Sequence, residues 1–579
     1  MLKETVSMFT RDGVRLDADV YRPDAEGSFP VLLMRQPYGR SIASTVVYAH
    51  PTWYAQQGYI VVIQDVRGRG TSKGEFKLFA HEIADGFDTV NWASQLPGSN
   101  GNVGMYGFSY QGMTQLYAAV EKPPALKAIC PAMIGYDLYH DWAYEGGAFC
   151  LQANLGWAIQ LATETARLKN DEQAFQALYS ASRNLPLFDT IPACPEVIKK
   201  YAPDSFYHEW LDHDQPDEYW EKLSPKTYLK NIDLPMLHVG GWFDTFLRGT
   251  VNLYKEMASR SNFLQYLLIG PWAHLPWGRK VGSIDYGLAA SNPIDELQIR
   301  WFNQFLKGID TGITNEPSVS LFEMGSNQWK SFERWPNNNK TSYFLQSNGL
   351  ASTREDAGKL TPPPTPPRNG EGGMIEENSS FPNLVGQASC LSSPVTSCLS
   401  SSIPSCLSSP VTDTFIHDPW RPVPAVGGHA VFPAGAFERS QIDSRTDVLT
   451  YTTAPLTQDL LIVGDVFVEL YCSADKPTFD LCAILSEVQN NGNVYNFTQG
   501  YLRVKPNQST QPLTIQLQPT CIKIAPGNGL RLSLSAACFP AYPVNPGTGS
   551  LPKETQLIEA EIITISVQSG ENYPSRICL

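Results

Sequence analysis

The chain has 579 residues, 42% of them hydrophobic and 11% aromatic, with 43 basic against 57 acidic side chains and a formal net charge of −14. That length calls for two or three folded units rather than a single core. The acidic balance, without any lysine- or arginine-rich run, argues against nucleic acid or an anionic membrane as partner, and no apolar window approaches the ~18 residues of a membrane-spanning helix. The eleven cysteines are scattered, odd in number and without a C-x-x-C pair, which reads as reduced thiols in a cytoplasmic protein. The opening Met1-Leu2-Lys3-Glu4-Thr5-Val6-Ser7-Met8 lacks the apolar stretch of a secretory signal. No ligand spacing of a metal site appears, no cofactor is expected, and homo-oligomerisation stays open.

In chain order, Val14–Tyr21 alternates as a strand after an Arg11-Asp12-Gly13 turn. Pro30–Arg35 and Tyr59–Asp65 are continuous apolar runs, as expected of strands covered on both faces. His81–Leu96 has helical spacing, a strand then runs into Ser109, and another is predicted within Ala125–Met133. Alternating strands and helices imply a parallel sheet with helices on both faces. Residues 136–228 break that rhythm: they are rich in Trp, Tyr, His and Asp, and Ala153–Leu168 and Asp171–Asn184 read as helices. We read this stretch as a helical cap over the carboxyl ends of the strands, between core segments 1–135 and 229–317. The sheet resumes at Pro235–Asp244 and Tyr266–His274, followed by a helix over Ile294–Leu306.

From about 318 to 579 many short strands with intervening turns predict a jelly roll. Inside it, residues 352–412 carry a proline-rich run and three copies of Ser-Cys-Leu-Ser-Ser, beginning at Ser389, Ser397 and Ser405. Such a low-complexity insert has too little apolar surface to offset chain entropy and is expected to be disordered.

Gly107-Phe108-Ser109-Tyr110-Gln111-Gly112 is the strand–turn–helix stretch that carries chemistry. A serine on such a turn points outward from a strained backbone, with the Tyr110 amide available to an oxyanion. The spacing departs from G-x-S-x-G, and on residues alone an ordinary glycine-bounded turn stays open. Gly70-Thr71-Ser72-Lys73-Gly74 matches G-x-S-x-G literally, but no small-residue helix opening follows it, so Ser72 is set aside. Asp244 and His274 each end a predicted strand. Serine, acid, histidine is the chain order of α/β-hydrolases. In such a triad the imidazole takes the serine proton and the carboxylate fixes its tautomer. His238, mid-strand in an apolar run, reads as a core histidine, and Asp65 and Arg67 as loop supports.

With these residues in view, the chain resembles the CocE/NonD (cocaine-esterase-like) serine hydrolases, relatives of X-prolyl dipeptidyl-peptidases and α-amino-acid ester hydrolases. Arg11–Leu16, Gln36-Pro37-Tyr38, Asp65–Gly70, Gly107–Gly112, Gly241–Asp244 and Gly270–His274 carry the likeness, which spans the chain outside 352–412. The family's elbow has glycine three places after serine, as here. The resemblance implies an α/β-hydrolase core with a helical cap and a C-terminal jelly roll. It implies Ser109, Asp244 and His274 as triad, with an oxyanion hole made by the Tyr38 hydroxyl and the Tyr110 amide. Trp242 and Trp272 flank the triad loops and either line an acyl pocket or simply pack; Phe243 and Phe246 are candidates for the same pocket. The expected activity is hydrolysis of a small-molecule ester through an acyl-enzyme. X-Pro dipeptidyl-peptidase-type amide hydrolysis is the alternative, and a non-catalytic protein binding ligand through its jelly roll is the reading of another class. The α-amino-acid ester branch is disfavoured, because Thr245, Phe246 and Leu247 stand where that branch places carboxylates for a substrate ammonium.

Overall fold

The computed structural model describes residues 2–41, 45–336, 341–362, 409–505 and 511–579. Strands β1 (Leu2–Phe9) and β2 (Arg15–Arg22) pair antiparallel across a turn that needs Gly13 at φ +81°. Strand and helix then alternate through β3 (Phe29–Gln36), α1 (Pro51–Gln56), β4 (Ile60–Asp65) and α2 (Glu82–Ser94). The rhythm continues with β5 (Ser99–Phe108), α3 (Tyr110–Ala118) and β6 (Leu126–Ala132).

The chain leaves the sheet after β6. A small hairpin, β7 (Tyr144–Glu145) and β8 (Ala148–Phe149), precedes the long helices α4 (Leu151–Leu168) and α5 (Glu172–Arg183). Four short helices follow: α6 (Glu196–Tyr201), α7 (Phe206–Asp212), α8 (Glu218–Leu223) and α9 (Pro225–Tyr228). The stretch read as a helical cap thus also contains one hairpin with two-residue strands, too short for sequence alternation to reveal. The sheet resumes with β9 (Met236–Phe243), α10 (Leu247–Arg260) and β10 (Gln265–Ala273). Next come a hairpin of β11 (Lys280–Val281) and β12 (Ile284–Asp285), then α11 (Ile294–Lys307), β13 (Val319–Glu323) and β14 (Gln328–Phe332).

Among the described residues the first sheet has ten strands, ordered β1-β2-β4-β3-β5-β6-β9-β10-β13-β14 and parallel from β4 to β13. Both faces are covered, and alternation shows it. Val31, Leu33, Val103 and Met105 enter the core formed with α2 and α3, whereas Leu32, Met34 and Tyr106 enter the one formed with α1 and α11. Each such fully buried side chain contributes roughly 1.5–3 kcal/mol.

One expectation needs correction here. Val319–Glu323, expected to open the jelly roll, extends the first sheet: it runs parallel to β10, and β14 closes that edge antiparallel. A five-residue strand with three apolar side chains carries no mark of which sheet it will join, and its register with Leu267–Ile269 is a tertiary choice.

The rest of the chain is a mostly antiparallel β domain. It begins with β15 (Ser342–Gln346), β16 (Lys359–Thr361) and β17 (Val411–His417). The expectation of disorder over 352–412 therefore fails at both ends of that segment. Ala357 and Leu360 are buried, β16 pairs with β15, and β17 pairs with the strand Ile563–Ser569, because both ends of the segment hold enough apolar side chains to join sheets. Residues 363–408 lie outside the described residues.

Candidate active site

Strand β5 delivers Ser109 to the turn before α3 with φ +59° and ψ −128°. For a non-glycine residue that conformation costs on the order of 1–3 kcal/mol, so the surroundings must impose it. They do: the Ser109 N–H donates to the Ala132 carbonyl at 2.9 Å, and the Ser109 carbonyl accepts the Gly112 and Met113 N–H groups, each at 2.9 Å. A Cβ on Gly107 would stand 2.5 Å from Gln111 Cβ, and one on Gly112 would stand 2.4 Å from Ile134 Cγ2 and 2.8 Å from the Ala132 carbonyl. Glycine falls three places after the serine because that position of α3 meets the end of β6. The Tyr110 amide is the first of α3, one of those a helix leaves without an intrahelical acceptor. Its phenol is tied elsewhere, donating to Glu82 at 2.8 Å.

Asp244 follows β9 and is fully buried; His274 follows β10, its side chain 30% exposed. His274 Nδ1 lies 2.8 Å from Asp244 Oδ1. A carboxylate only accepts, so Nδ1 carries the proton and Nε2 keeps the lone pair of a base. The ring packs edge-on against Phe246, 5.1 Å between centroids, and at 5.4 Å from Phe108, the residue before Ser109. The Trp277 indole holds the His274 carbonyl at 3.1 Å.

Tyr38 enters from the loop after β3, its amide held by the Gln36 side chain at 2.8 Å. Burial pushes its phenol up to about 12, while the Trp157 indole and the Ser109 hydroxyl beside it pull the other way. At neutral pH it is an O–H donor. Tyr38, Ser109, Asp244 and His274 thus all stand at the carboxyl ends of strands β3, β5, β9 and β10, where open α/β sheets bind ligands.

Of the four pocket candidates, Phe246 alone packs on the imidazole. Trp242 donates to the Phe322 carbonyl at 2.7 Å and Trp272 to the Ala290 carbonyl at 3.0 Å; with Phe243 they are 2%, 0% and 1% exposed and belong to packed cores. Proximity in sequence to Asp244 and His274 did not bring these side chains to the rim, because strand geometry directs them into the faces of the sheet. The aromatic surroundings come instead from the cap. Trp142 lies 4.1 Å from Phe246 and 5.2 Å from Trp157, whose indole N–H donates to the Tyr38 oxygen at 3.1 Å. The aromatic richness of the cap was visible in sequence, but nothing in it singled out these two tryptophans.

The Ser72 hydroxyl donates to the Asp65 carbonyl at 2.8 Å and accepts the Asp17 amide at 2.9 Å, a loop pin. Arg67 pairs with Asp85 and Asp12, and Asp65 accepts the Arg40 amide at 2.7 Å, so both support the loop. His238 is fully buried against Gln265, 2.9 Å away, and burial lowers it to about 4. Among the described residues there is no cluster of three potential metal ligands, and no helix is long and apolar enough to cross a membrane.

A family model of X-Pro dipeptidyl-peptidase (S15 family) matches residues 12–276, and one of the X-Pro dipeptidyl-peptidase C-terminal non-catalytic domain matches residues 311–577. The chain is 30% identical over 597 residues to a cocaine esterase of Rhodococcus sp. (strain MB1 Bresler), covering 98% of this chain and 96% of that protein. Among solved structures it is similar to an aminopeptidase from the marine sediment archaeon Thaumarchaeota archaeon, at TM-score 0.77 and 22% identity over 100% of this chain and 95% of that one. It is also similar to an α-amino acid ester hydrolase, at TM-score 0.75 and 23% identity over 100% and 96%. At such identities the structural likeness speaks for the fold alone. Fold and relatives together define a serine hydrolase: an α/β-hydrolase core with a helical cap and a C-terminal β jelly roll. The chain belongs to the CocE/NonD (cocaine-esterase-like) family.

Proposed function

We propose that the chain is a carboxylesterase that works through an acyl-enzyme on Ser109. In this reading His274 Nε2 removes the Ser109 proton as the hydroxyl attacks the substrate carbonyl, and Asp244 stabilises the imidazolium that forms. The tetrahedral oxyanion accepts hydrogen bonds from the Tyr38 hydroxyl and the Tyr110 amide. The imidazolium then protonates the leaving group, and water, activated by the same nitrogen, releases the acid. The single observation that carries the reading is the strained Ser109 at the β5–α3 turn, in the same strand-end cluster as an imidazole oriented by a buried carboxylate.

An ester with a neutral, bulky or aromatic acyl group fits best. Phe108, Phe246, Trp142 and Trp157 form the apolar surroundings of the imidazole and of Tyr38. An X-Pro peptide would need a free carboxylate for its amino terminus. The carboxylate of the β7 hairpin, Glu145, is already engaged by Arg248, His429 and Tyr542, and Glu164 of α4 is paired with Arg167.

The reading is tested by labelling with a fluorophosphonate probe and by comparing p-nitrophenyl butyrate and benzoate with Gly-Pro-p-nitroanilide. Labelling lost in Ser109→Ala, and ester turnover well above anilide turnover, are expected. Folded protein that resists the probe would remove Ser109 as nucleophile, and preference for the anilide would replace the esterase reading with a dipeptidyl-peptidase.

A further inference from the structure

Five arginines are buried among the described residues, and four of them face a carboxylate: Arg35 faces Glu82, Arg67 faces Asp85, and Arg439 and Arg531 face Asp443. Arg69 is the fifth. It is 2% exposed and makes no ion pair with any described residue. Its Nη1 donates to the Leu161 carbonyl of α4 at 3.1 Å, its guanidinium lies 3.8 Å over the Phe76 ring, and its Nε has no partner. The loop that presents it is closely packed. Gly68 and Gly70 flank it at φ +70° and +54°, and a Cβ on them would stand 2.3 Å from the Phe76 nitrogen and 2.0 Å from Asp65 Oδ2. An uncompensated buried cation is expensive and, where it persists, marks a site that uses the charge.

Its neighbours say which site. Burial lowers Arg69 to about 10, so it stays charged at neutral pH, and the groups that act against that lowering are Tyr110, Glu164 and Tyr38. Glu164 is held by Arg167 at 2.7 Å. Trp157, Leu161 and Glu164 follow one another at spacings of four and three along α4, one stripe of the helix. Trp157 bonds the Tyr38 oxygen and the Leu161 carbonyl bonds Arg69, so the same cap face fixes the phenol and the cation.

We propose that Arg69 is a positioning residue for the oxyanion hole: a fixed buried charge, acting through Tyr38, that favours negative charge accumulating on the substrate carbonyl oxygen. The proposal rests on the assignment of Tyr38 as an oxyanion donor. A cation in a water-poor environment strengthens the phenol as a donor, and the gain appears only as the carbonyl gains charge. The effect belongs in kcat rather than in KM.

Arg69→Gln, which can keep the bond to the Leu161 carbonyl while losing the charge, should lower kcat on p-nitrophenyl butyrate about 10- to 50-fold. This is less than the ~10²–10³ lost with an oxyanion donor itself. KM should stay within about twofold. In a Tyr38→Phe background the same substitution should cost less than about threefold, since the residue it acts through is gone. Arg69→Lys should recover most of kcat, with an alkaline limb at lower pH than the wild type because a buried ammonium loses its proton sooner. This limb is a readout that a merely structural role would not move, and it stands even if Arg69→Gln fails to fold. Wild-type kcat in Arg69→Gln, an equal loss with and without Tyr38, or an unshifted limb in Arg69→Lys would overturn the proposal. A loss confined to mono-p-nitrophenyl glutarate would overturn it too, and would make the guanidinium a site for a substrate carboxylate. If Tyr38→Phe alone has no effect, the assignment of Tyr38 fails, which is a distinguishable result.

Discussion

The indole N–H of Trp157 donates to the phenolic oxygen of Tyr38 across 3.1 Å, joining α4 of the cap to the loop after β3. The bond fills an acceptor position on the oxygen and leaves the hydroxyl proton free to point elsewhere. Trp157→Phe keeps an aromatic ring against Trp142 and removes only the donor. Its kcat should fall by roughly tenfold, against roughly 10²–10³ for Tyr38→Phe. Steady-state kinetics on one ester decide it, and an unchanged kcat in Trp157→Phe would mean that the phenol needs no such anchor.

Asp244, itself fully buried, holds the imidazole through one bond from His274 Nδ1. Asp244→Asn replaces an acceptor by a group that can donate, which turns the imidazole to the wrong tautomer. Turnover should drop by about 10⁴ with the fold intact. Circular dichroism alongside kcat separates the two effects, and a loss below tenfold would assign the orientation of His274 to another group.

Glu145 ties three parts of the molecule together: it accepts from Arg248 of α10 at 3.0 Å and lies 2.8 Å from His429 and 2.6 Å from Tyr542 of the β domain. Burial would raise its carboxyl, but the charges of His429 and Arg248 and the bonds from His429 and Tyr542 win and hold it down to about 2. The folded value lies below the ordinary 4.5, so its contribution is fully present above that pH and is lost as pH falls towards 2. Glu145→Gln should therefore flatten the acid limb of stability between those values. It should also cost about 3–5 kcal/mol at neutral pH, because it leaves Arg248 unpaired. Denaturant unfolding at several pH values measures both, and parallel acid limbs in mutant and wild type would show that Glu145 does not set the pH dependence.

Residues 359–361 form β16 and bury Leu360, whereas all but the ends of the proline-rich and Ser-Cys-Leu-Ser-Ser sequence, which runs from Pro362 to Ser409, falls within 363–408. Replacing 363–408 by a Gly/Ser linker of about ten residues should leave melting temperature and esterase activity unchanged. Removing 353–412 takes β16 and the buried Ala357 with it and should lower the melting temperature. Calorimetry on the two variants tests the boundary, and equal stability would mean that β16 contributes nothing.

Much of this protein was legible in the sequence because the carriers were local. The apolar runs gave strands whose bounds hold to within a residue or two, such as Met236–Phe243 and Gln265–Ala273. Backbone strain at Ser109 follows from a strand, a helix and two glycines within six residues. Asp244 and His274 were found by their position at strand ends, and their 2.8 Å contact requires only that β9 and β10 be neighbours.

The folded structure alone decided what depends on side-chain direction and on long-range partners. Which sheet Val319–Glu323 would join turned on register with β10, which those five residues alone do not encode. Trp242 and Trp272 turned into cores away from the triad, while Trp157 of the cap came to Tyr38 and Trp142 to Phe246, since which face a side chain takes is set by packing and not by closeness in sequence. The same holds for Arg69. Its letter was plain in the Arg67-Gly68-Arg69-Gly70 run, but that it is buried and faces no carboxylate among the described residues can be recognised only once its neighbours in space are known.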